Sequence, residues 1–415
     1  MKKFILSVII FITVFAFSCG KSGGNTIHIA VIGPMKHEIG INIKNGVKLS
    51  MEEIIKKGGI TINKVKYKIK LHYINDKFAS VAAASKALNA QIKKTGIHLI
   101  IGGFSSKVVV PLMEIMAAKK ILWLGTGGAS PAVVGKVKKN YQKYKYYFRI
   151  GTIDATRQGK GIAAFALKVL KPLGLRKAAF LGINHAFAKY QLKDAQKHMK
   201  AGGIEIVFEE FVNPKSVDFN PLLKQIEKKA DFIVVSFLST EEDAFIKQVH
   251  AIGLNKRMPI YGSFAGLSAD KVREYEDMIY GYTTMSLQSG AVDMTGEGGA
   301  PRFAAAYRKR YGKAPGGIAY VAYDCLHIYK MAAEKANSIN PEKIIPVMES
   351  DSFEYVGISR FKWNKENHDH WFGLIEGKNY VDFAWMQFNK DRRFYCVYPE
   401  TFRQKKYFVP GGRKR

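Results

Sequence analysis

Two hydroxyl-bearing turns stand where apolar runs end. Ser105 and Ser106 follow the run 97–101, and Gly127, Gly128, Ala129 and Ser130 follow the run 121–124. Serine hydroxyls beside the open N–H groups of a helix start make a hydrogen-bonding grip for a carboxylate or carbonyl. Glycines in the second turn let backbone donors approach closely. The same residue types also serve as helix caps and turns, so the grip depends on both turns facing one crevice. A second group of loops, 184–190, 237–240 and 262–266, offers His185, Phe187, Tyr190, Ser239 and Phe264. That set reads as an apolar or aromatic wall with a few hydrogen bonds, and His185 is a candidate contact or an incidental loop residue.

Other chemistries have weaker support. Arg149 offers either a grip for an anion or half of a structural salt bridge, with Arg157 on the helix that follows. His368, Asp369 and His370 have the residue types of a metal cluster, and on a strand their spacing puts both imidazoles on one face. The reading adopted is a strand segment without metal. Cys325 and Cys396 lack C-x-x-C spacing, which removes thiol redox and zinc chemistry and leaves them paired or buried as free thiols. There is no GxSxG, HExxH, P-loop or strand-following GxGxxG, so the sequence predicts a non-enzyme with no cofactor.

The elements that carry these residues alternate in type. Strand-length apolar runs at 27–33, 65–74, 97–101 and 121–124 are separated by helical periods at 39–57, 80–94 and 107–118. The pattern restarts with strands at 146–150, 177–181, 204–211, 232–237 and 259–261 and helices between them. A strand at 282–287, a Gly-rich loop at 290–299, helices at 301–311, 317–336 and 341–349, and aromatic strands from 357 to 398 complete the chain. This order predicts an α/β protein with two doubly wound parallel sheets. Ligands of open α/β sheets bind outside the carboxyl ends of strands, where both serine turns fall.

The N-terminus predicts export. Lys2 and Lys3 precede an uncharged apolar run at 4–17, short for a membrane span of roughly 20 residues and suited to a signal peptide. Small residues then lead to Cys19 in a stretch that resembles a bacterial lipobox, and the resemblance implies Cys19 as lipidation site, with 1–18 as signal peptide and 19–26 as tether. The chain carries a formal charge of +31, and removal of Lys2 and Lys3 with the signal leaves +29. Its lysines are scattered along amphipathic helices, clustering only at 136–145 and in the tail from 403, and no nucleic-acid motif accompanies them. A solvated basic surface, not a nucleic-acid partner, is the expectation.

Ordered landmarks carry a resemblance: IAVIGPM with Gly40 and Gly46, MEEIIKKGGI, IND, LIIGGFSS, LGTGGASP, YYFRIGTIDATRQG, VDFNPLLKQI, KQVHAIGL and PGGIAYVAYDCLHI. In this order the chain, from about 27 to 399, resembles type I periplasmic binding proteins of the branched-chain amino acid branch. The resemblance implies two lobes joined by three crossovers near Arg149, Gly281 and Phe353. They would close on a small ligand, with an ABC transporter permease as partner; together with the lipobox-like Cys19 this places the protein at the periplasm or cell surface, held to the membrane by a lipid anchor. The lobes are expected to comprise 27–147 with 283–353, and 148–282 with 354–400, followed by a basic tail at 401–415. A ligand sensor of the same fold is the alternative.

The resemblance also exposes departures. Amino-acid-binding relatives place a threonine where Ala129 stands, with Ser130 beside it, and an acidic residue about where Phe264 stands. Glu241 and Glu242 read as first-turn residues of an exposed helix. A buried ammonium without a counter-charge is costly, so the sequence disfavours a zwitterionic α-amino acid and favours an amino-acid-like, amide or carboxylate ligand.

Overall fold

The computed structural model describes residues 25–213, 218–237, 240–264, 267, 269–286, 299–354, 360–371, 374–375, 378–379, 383–400 and 403–412. Cys19 and Ser239 lie outside them. The first lobe is built from β1 (Thr26–Gly33), α1 (Glu38–Lys56), β2 (Ile60–Ile62), β3 (Val65–Asn75), α2 (Val81–Thr95), β4 (Leu99–Gly102), α3 (Ser106–Lys119) and β5 (Leu122–Gly125). It continues through α4 (Pro131–Lys139), α5 (Tyr141–Tyr144) and β6 (Tyr147–Arg149). The basic stretch at 136–145 is largely helical, in α4 and α5, with Ser130 capping α4 and Pro131 in its first turn.

The sheet runs β2-β3-β1-β4-β5-β6, with all pairings parallel except the β2–β3 hairpin. β4 and β5 are buried along their whole length, as central parallel strands must be. Their apolar runs lack alternation for that reason.

The second lobe comprises α6 (Ala155–Phe165), β7 (Lys177–Ile183), α7 (Ala186–Ala201), β8 (Glu205–Val212), α8 (Asn220–Lys229), β9 (Phe232–Phe237), α9 (Thr240–Ala251), β10 (Ile260–Phe264), α10 (Ala269–Tyr275) and β11 (Thr283–Ser286). The chain then returns to the first lobe as α11 (Gly299–Tyr311), α12 (Gly317–Lys335) and α13 (Pro341–Ser350). It crosses again through β12 (Phe353–Glu354), β13 (Arg360–Phe361), β14 (Leu374–Ile375) and β15 (Lys378–Asn379). The last strands, β16 (Ala384–Phe388) and β17 (Phe394–Tyr398), complete the second sheet, ordered β17-β16-β11-β10-β9-β7-β8.

The expected lobe boundary at 282/283 falls one strand early. β11 pairs with β10 and β16, so 283–286 belong to the second sheet and the chain leaves that sheet only after Ser286. At the first crossing, β6 pairs with β5, which keeps 148–149 in the first sheet. β16 and β17 are antiparallel, so this sheet is mixed.

α12 packs on α1 at very short range. A Cβ on Gly46 would lie 2.3 Å from the Ala319 carbonyl oxygen, so only glycine permits this approach. Cys325 on α12 and Cys396 on β17 are both buried free thiols. Among the described residues no helix is long and apolar enough to cross a membrane.

Three imidazoles meet at the start of the first sheet. His28 Nδ1 lies 3.0 Å from His72 Nε2, and the His28 N–H donates to His98 Nδ1 at 3.1 Å. Each ring is held below the ordinary value of 6.5, first by burial. Neighbouring charge adds to this: Lys70 acts on His28, and His28 acts on His72 and His98. With folded values depressed, the contribution to stability is intact above 6.5 and lost as pH falls through the folded values. Melting temperature is expected to drop between about pH 7 and pH 5, and His72→Gln is expected to flatten that drop. An equally steep profile in the variant would remove the trio from the explanation.

Candidate ligand-binding site

Sheet topology fixes where a ligand crevice lies. β1 has β3 on one side and β4 on the other, so winding reverses there and leaves a crevice beyond their carboxyl ends. The second sheet reverses at β7, between β8 and β9. The loops after β4 and β7 carry Ser105 and His185, and the start of α9 after β9 carries Glu241 and Glu242.

On the first lobe the three serines have separate duties. Ser130 Oγ caps α4 by accepting the Ala132 N–H at 3.2 Å. Ser106 Oγ accepts the Ser130 N–H at 3.0 Å and joins the two turns. Ser105 is the N-cap residue of α3, yet its side chain makes no capping bond and has no partner among the described residues. Its hydroxyl remains available beside the positive end of a 14-residue helix, with Lys107 exposed in the first turn.

The glycines shape this jaw through protein contacts. A Cβ on Gly127 would lie 2.6 Å from the Gly103 carbonyl oxygen, so the turn needs glycine to pack against its neighbour. Gly128 donates its N–H to the Phe104 oxygen at 2.8 Å. Ala129 is half-buried, and its oxygen accepts the Ala155 N–H at 2.8 Å, which ties the turn to the start of α6.

On the second lobe, His185 is the N-cap of α7 and its Nδ1 accepts the Phe187 N–H at 3.2 Å. A neutral ring bonded this way carries its proton on Nε2, which makes it a donor. Burial lowers the His185 pKa, Lys107 lowers it further, and Glu241 opposes both. His185 thus lies within the electrostatic reach of Lys107 on the first lobe and of Glu241, in α9, on its own lobe. Glu241 and Glu242 are each 2% exposed, correcting the expectation of an exposed helix start. β9 is buried along its whole length, and these first acidic residues of α9 are buried too. An acidic group therefore stands within electrostatic reach of His185.

Tyr190 is 49% exposed, one turn along α7 from Ala186. Phe264 is 6% exposed and packs on Tyr282 with ring centroids 5.4 Å apart, within the second-lobe core.

Behind the jaws sits a buried ion cluster. Arg149, fully buried, donates from Nη1 to the Gly128 oxygen at 2.9 Å and from Nη2 to the Ser130 oxygen at 3.2 Å. Its Nε lies 3.0 Å from Asp369 Oδ1, a charge contact without hydrogen-bond alignment. Arg157 reaches Asp369 Oδ2 at 3.5 Å and donates to the His370 oxygen at 3.1 Å. The neighbouring imidazoles are engaged separately. His368 stacks on Phe148 at 3.9 Å, meets the Tyr147 oxygen through Nδ1 at 3.0 Å and contacts Glu349 through Nε2 at 2.8 Å. His370 donates from Nδ1 to the Trp371 oxygen at 3.1 Å. Of the two roles open to Arg149, the structure shows the salt bridge.

A family model described as "Periplasmic binding protein" matches residues 26–371. The chain belongs to the periplasmic binding protein family. Its fold is shared with a solute binding protein of an ABC transporter from Rhodopseudomonas palustris BisB5 in complex with 3,4-dihydroxy benzoic acid. That likeness has a TM-score of 0.72 at 22% identity over 88% of this chain and 93% of that one. A branched-chain amino acid transporter substrate binding protein from Streptococcus pneumoniae, in complex with isoleucine, gives 0.72 at 20% identity over 89% and 97%. The leucine-specific-binding protein of Salmonella typhimurium is 25% identical over 260 residues, or 61% of this chain. That match spans 65% of the relative's length, less than two thirds.

This periplasmic binding protein also carries a rim that sequence reasoning missed. Phe78 is 48% exposed on the loop after β3, 4.9 Å from the His37 ring and 6.4 Å from Phe104, centroid to centroid. Lys77, Phe78 and Ala79 all have positive φ, an uncommon run for non-glycine residues. The signal available was position: all three rings follow carboxyl ends of strands in the first sheet.

Proposed function

We propose that this binding protein is an extracytoplasmic solute-binding lipoprotein of an ABC-type importer, with a small carboxylate-bearing ligand held between its lobes. The reading rests on one observation above others. The Ser105 hydroxyl is unspent at the start of α3, beside Lys107, and the His185 donor lies within reach of the same charge. A carboxylate suits the hydroxyl, the helix start and the lysine together. Buried Glu241 near His185 supplies an acidic neighbour for a ligand ammonium, so amino acids return to the candidate set beside aromatic acids.

The fold neighbours include proteins crystallised with isoleucine and with a dihydroxybenzoic acid, consistent with either class. Thermal unfolding of the full chain with leucine, isoleucine, valine, benzoate and 4-hydroxybenzoate tests the reading. A ligand at a hundredfold excess over its Kd stabilises by about 2.7 kcal/mol. The expected result is stabilisation by at least one of these carboxylates and none by its primary amide. Stabilisation by the amide alone would overturn the carboxylate grip. Cys19→Ala is expected to release the mature protein from the membrane fraction, and retention there would overturn the lipid anchor.

A further inference from the structure

A cavity of about 580 Å³ lies where α6 meets the final crossing and the β16–β17 hairpin. That volume falls within the roughly 300–1,000 Å³ typical of small-molecule sites. None of Ser105, Ser130, His185 or Phe264 lines it. One wall is a single helix face, since Arg157, Lys160, Gly161 and Ala164 follow helical spacing along α6. The rest of the lining is mainly aromatic, Trp371, Phe383, Trp385 and Tyr398 beside Asn364, His370 and Pro399, with the Phe383 ring packed against Gly161 at one edge.

The charge of the lining has one sign. Arg157 and Lys160 line the cavity, and no aspartate or glutamate does so among the described residues. Arg157 belongs to the balanced cluster with Arg149, Asp154 and Asp369. Lys160 is exposed and has neither ion pair nor hydrogen bond among the described residues, so its charge is in excess at the rim. Lys362 adds a further cation 4.1 Å from the Trp371 ring centroid. Aromatic enclosures without such cations suit ammonium ligands. Here Arg157 and Lys160 repel a cation, while the rings offer flat apolar surface for a planar body.

We propose that this cavity is a second binding site, separate from the cleft, for a small planar aromatic carboxylate. The ring lies among Trp371, Phe383 and Trp385, and the carboxylate meets Lys160 with Arg157 behind it. The site does not depend on the ligand assigned to the cleft.

Titration of the full chain with 1-naphthoate, followed by tryptophan fluorescence and calorimetry, tests the proposal. Trp371 and Trp385 line the cavity, so binding is expected to quench emission. Lys160→Glu reverses a charge at an exposed position and is expected to weaken binding roughly tenfold with unchanged melting temperature. Ala164→Phe fills the helix wall and is expected to abolish the quench. Ser105→Ala is expected to leave it intact, which separates this site from the cleft. The neutral isostere 1-naphthylmethanol is expected to bind at least tenfold more weakly. No binding to the wild-type chain at millimolar 1-naphthoate overturns the proposal. So does affinity indifferent to both Lys160→Glu and Ala164→Phe, a quench lost in Ser105→Ala, or equal affinity for the neutral compound.

Discussion

Arg149→Ala is expected to destabilise the protein by about 3–5 kcal/mol in equilibrium urea unfolding. The side chain is completely buried, and removing it leaves Asp369, 3% exposed, with Arg157 at 3.5 Å as its one ion-pair partner among the described residues. It also strips donors from the Gly128 and Ser130 oxygens, so the GGASP turn loses its support. Most of that cost comes from the charge left behind, not from the net worth of the pair. A paired replacement, Arg149→Met with Asp369→Leu, is therefore expected to recover a large part of the loss. A deficit below about 1 kcal/mol in the single variant, the size expected of exposed pairs, would show that the cluster is solvated.

Ser105→Ala is expected to weaken carboxylate binding ten- to a hundredfold, measured by calorimetry with the best ligand of the panel. A hydrogen bond to a charged group contributes about 1.5–3 kcal/mol, and each 1.4 kcal/mol is tenfold. Stability in the absence of ligand is expected to stay within about 0.5 kcal/mol, because this serine makes no capping bond for the variant to lose. Ser130→Ala provides the contrast. It loses a true cap on α4, costing about 1 kcal/mol, and touches binding only indirectly. Unchanged affinity in Ser105→Ala would move the carboxylate away from α3.

The two-lobed architecture was legible because buried parallel strands and amphipathic helices leave different periods in the sequence. β4 and β5 announce themselves as short apolar runs, and Asp154 marks the start of α6 by capping it. The lobe boundary at 282/283 was misplaced because a strand's period says nothing about which sheet it joins. β11 enters the second sheet through pairing with β16, whose residues lie about a hundred positions later. At the site, the serine turns were legible as turns, but their division of labour was not. Whether a hydroxyl caps its own helix, braces the next turn or stays open is decided by rotamer and packing. Glu241 and Glu242 were misjudged for a related reason. Two acids opening a helix read as solvated, and nothing local in the sequence shows that the fold leaves each only 2% exposed. Phe78 escaped notice because its exposure depends on a run of positive φ that its sequence does not announce.

The buried cluster also dictates an order of events while the chain is made. His368 meets the Tyr147 oxygen across 221 residues, and the Trp363 indole N–H meets the Arg149 oxygen across 214. At roughly 5–20 residues per second of synthesis, the first crossing strand waits about ten to forty seconds for these partners. Throughout that interval Arg149 has no Asp369, and the turn it braces has no anchor on the final crossing. The first sheet can collapse early, but the joint between the lobes sets only once nearly the whole chain has emerged. Nascent chains halted before residue 360 should therefore be far more open to proteolysis at the joint than within β4 or β5.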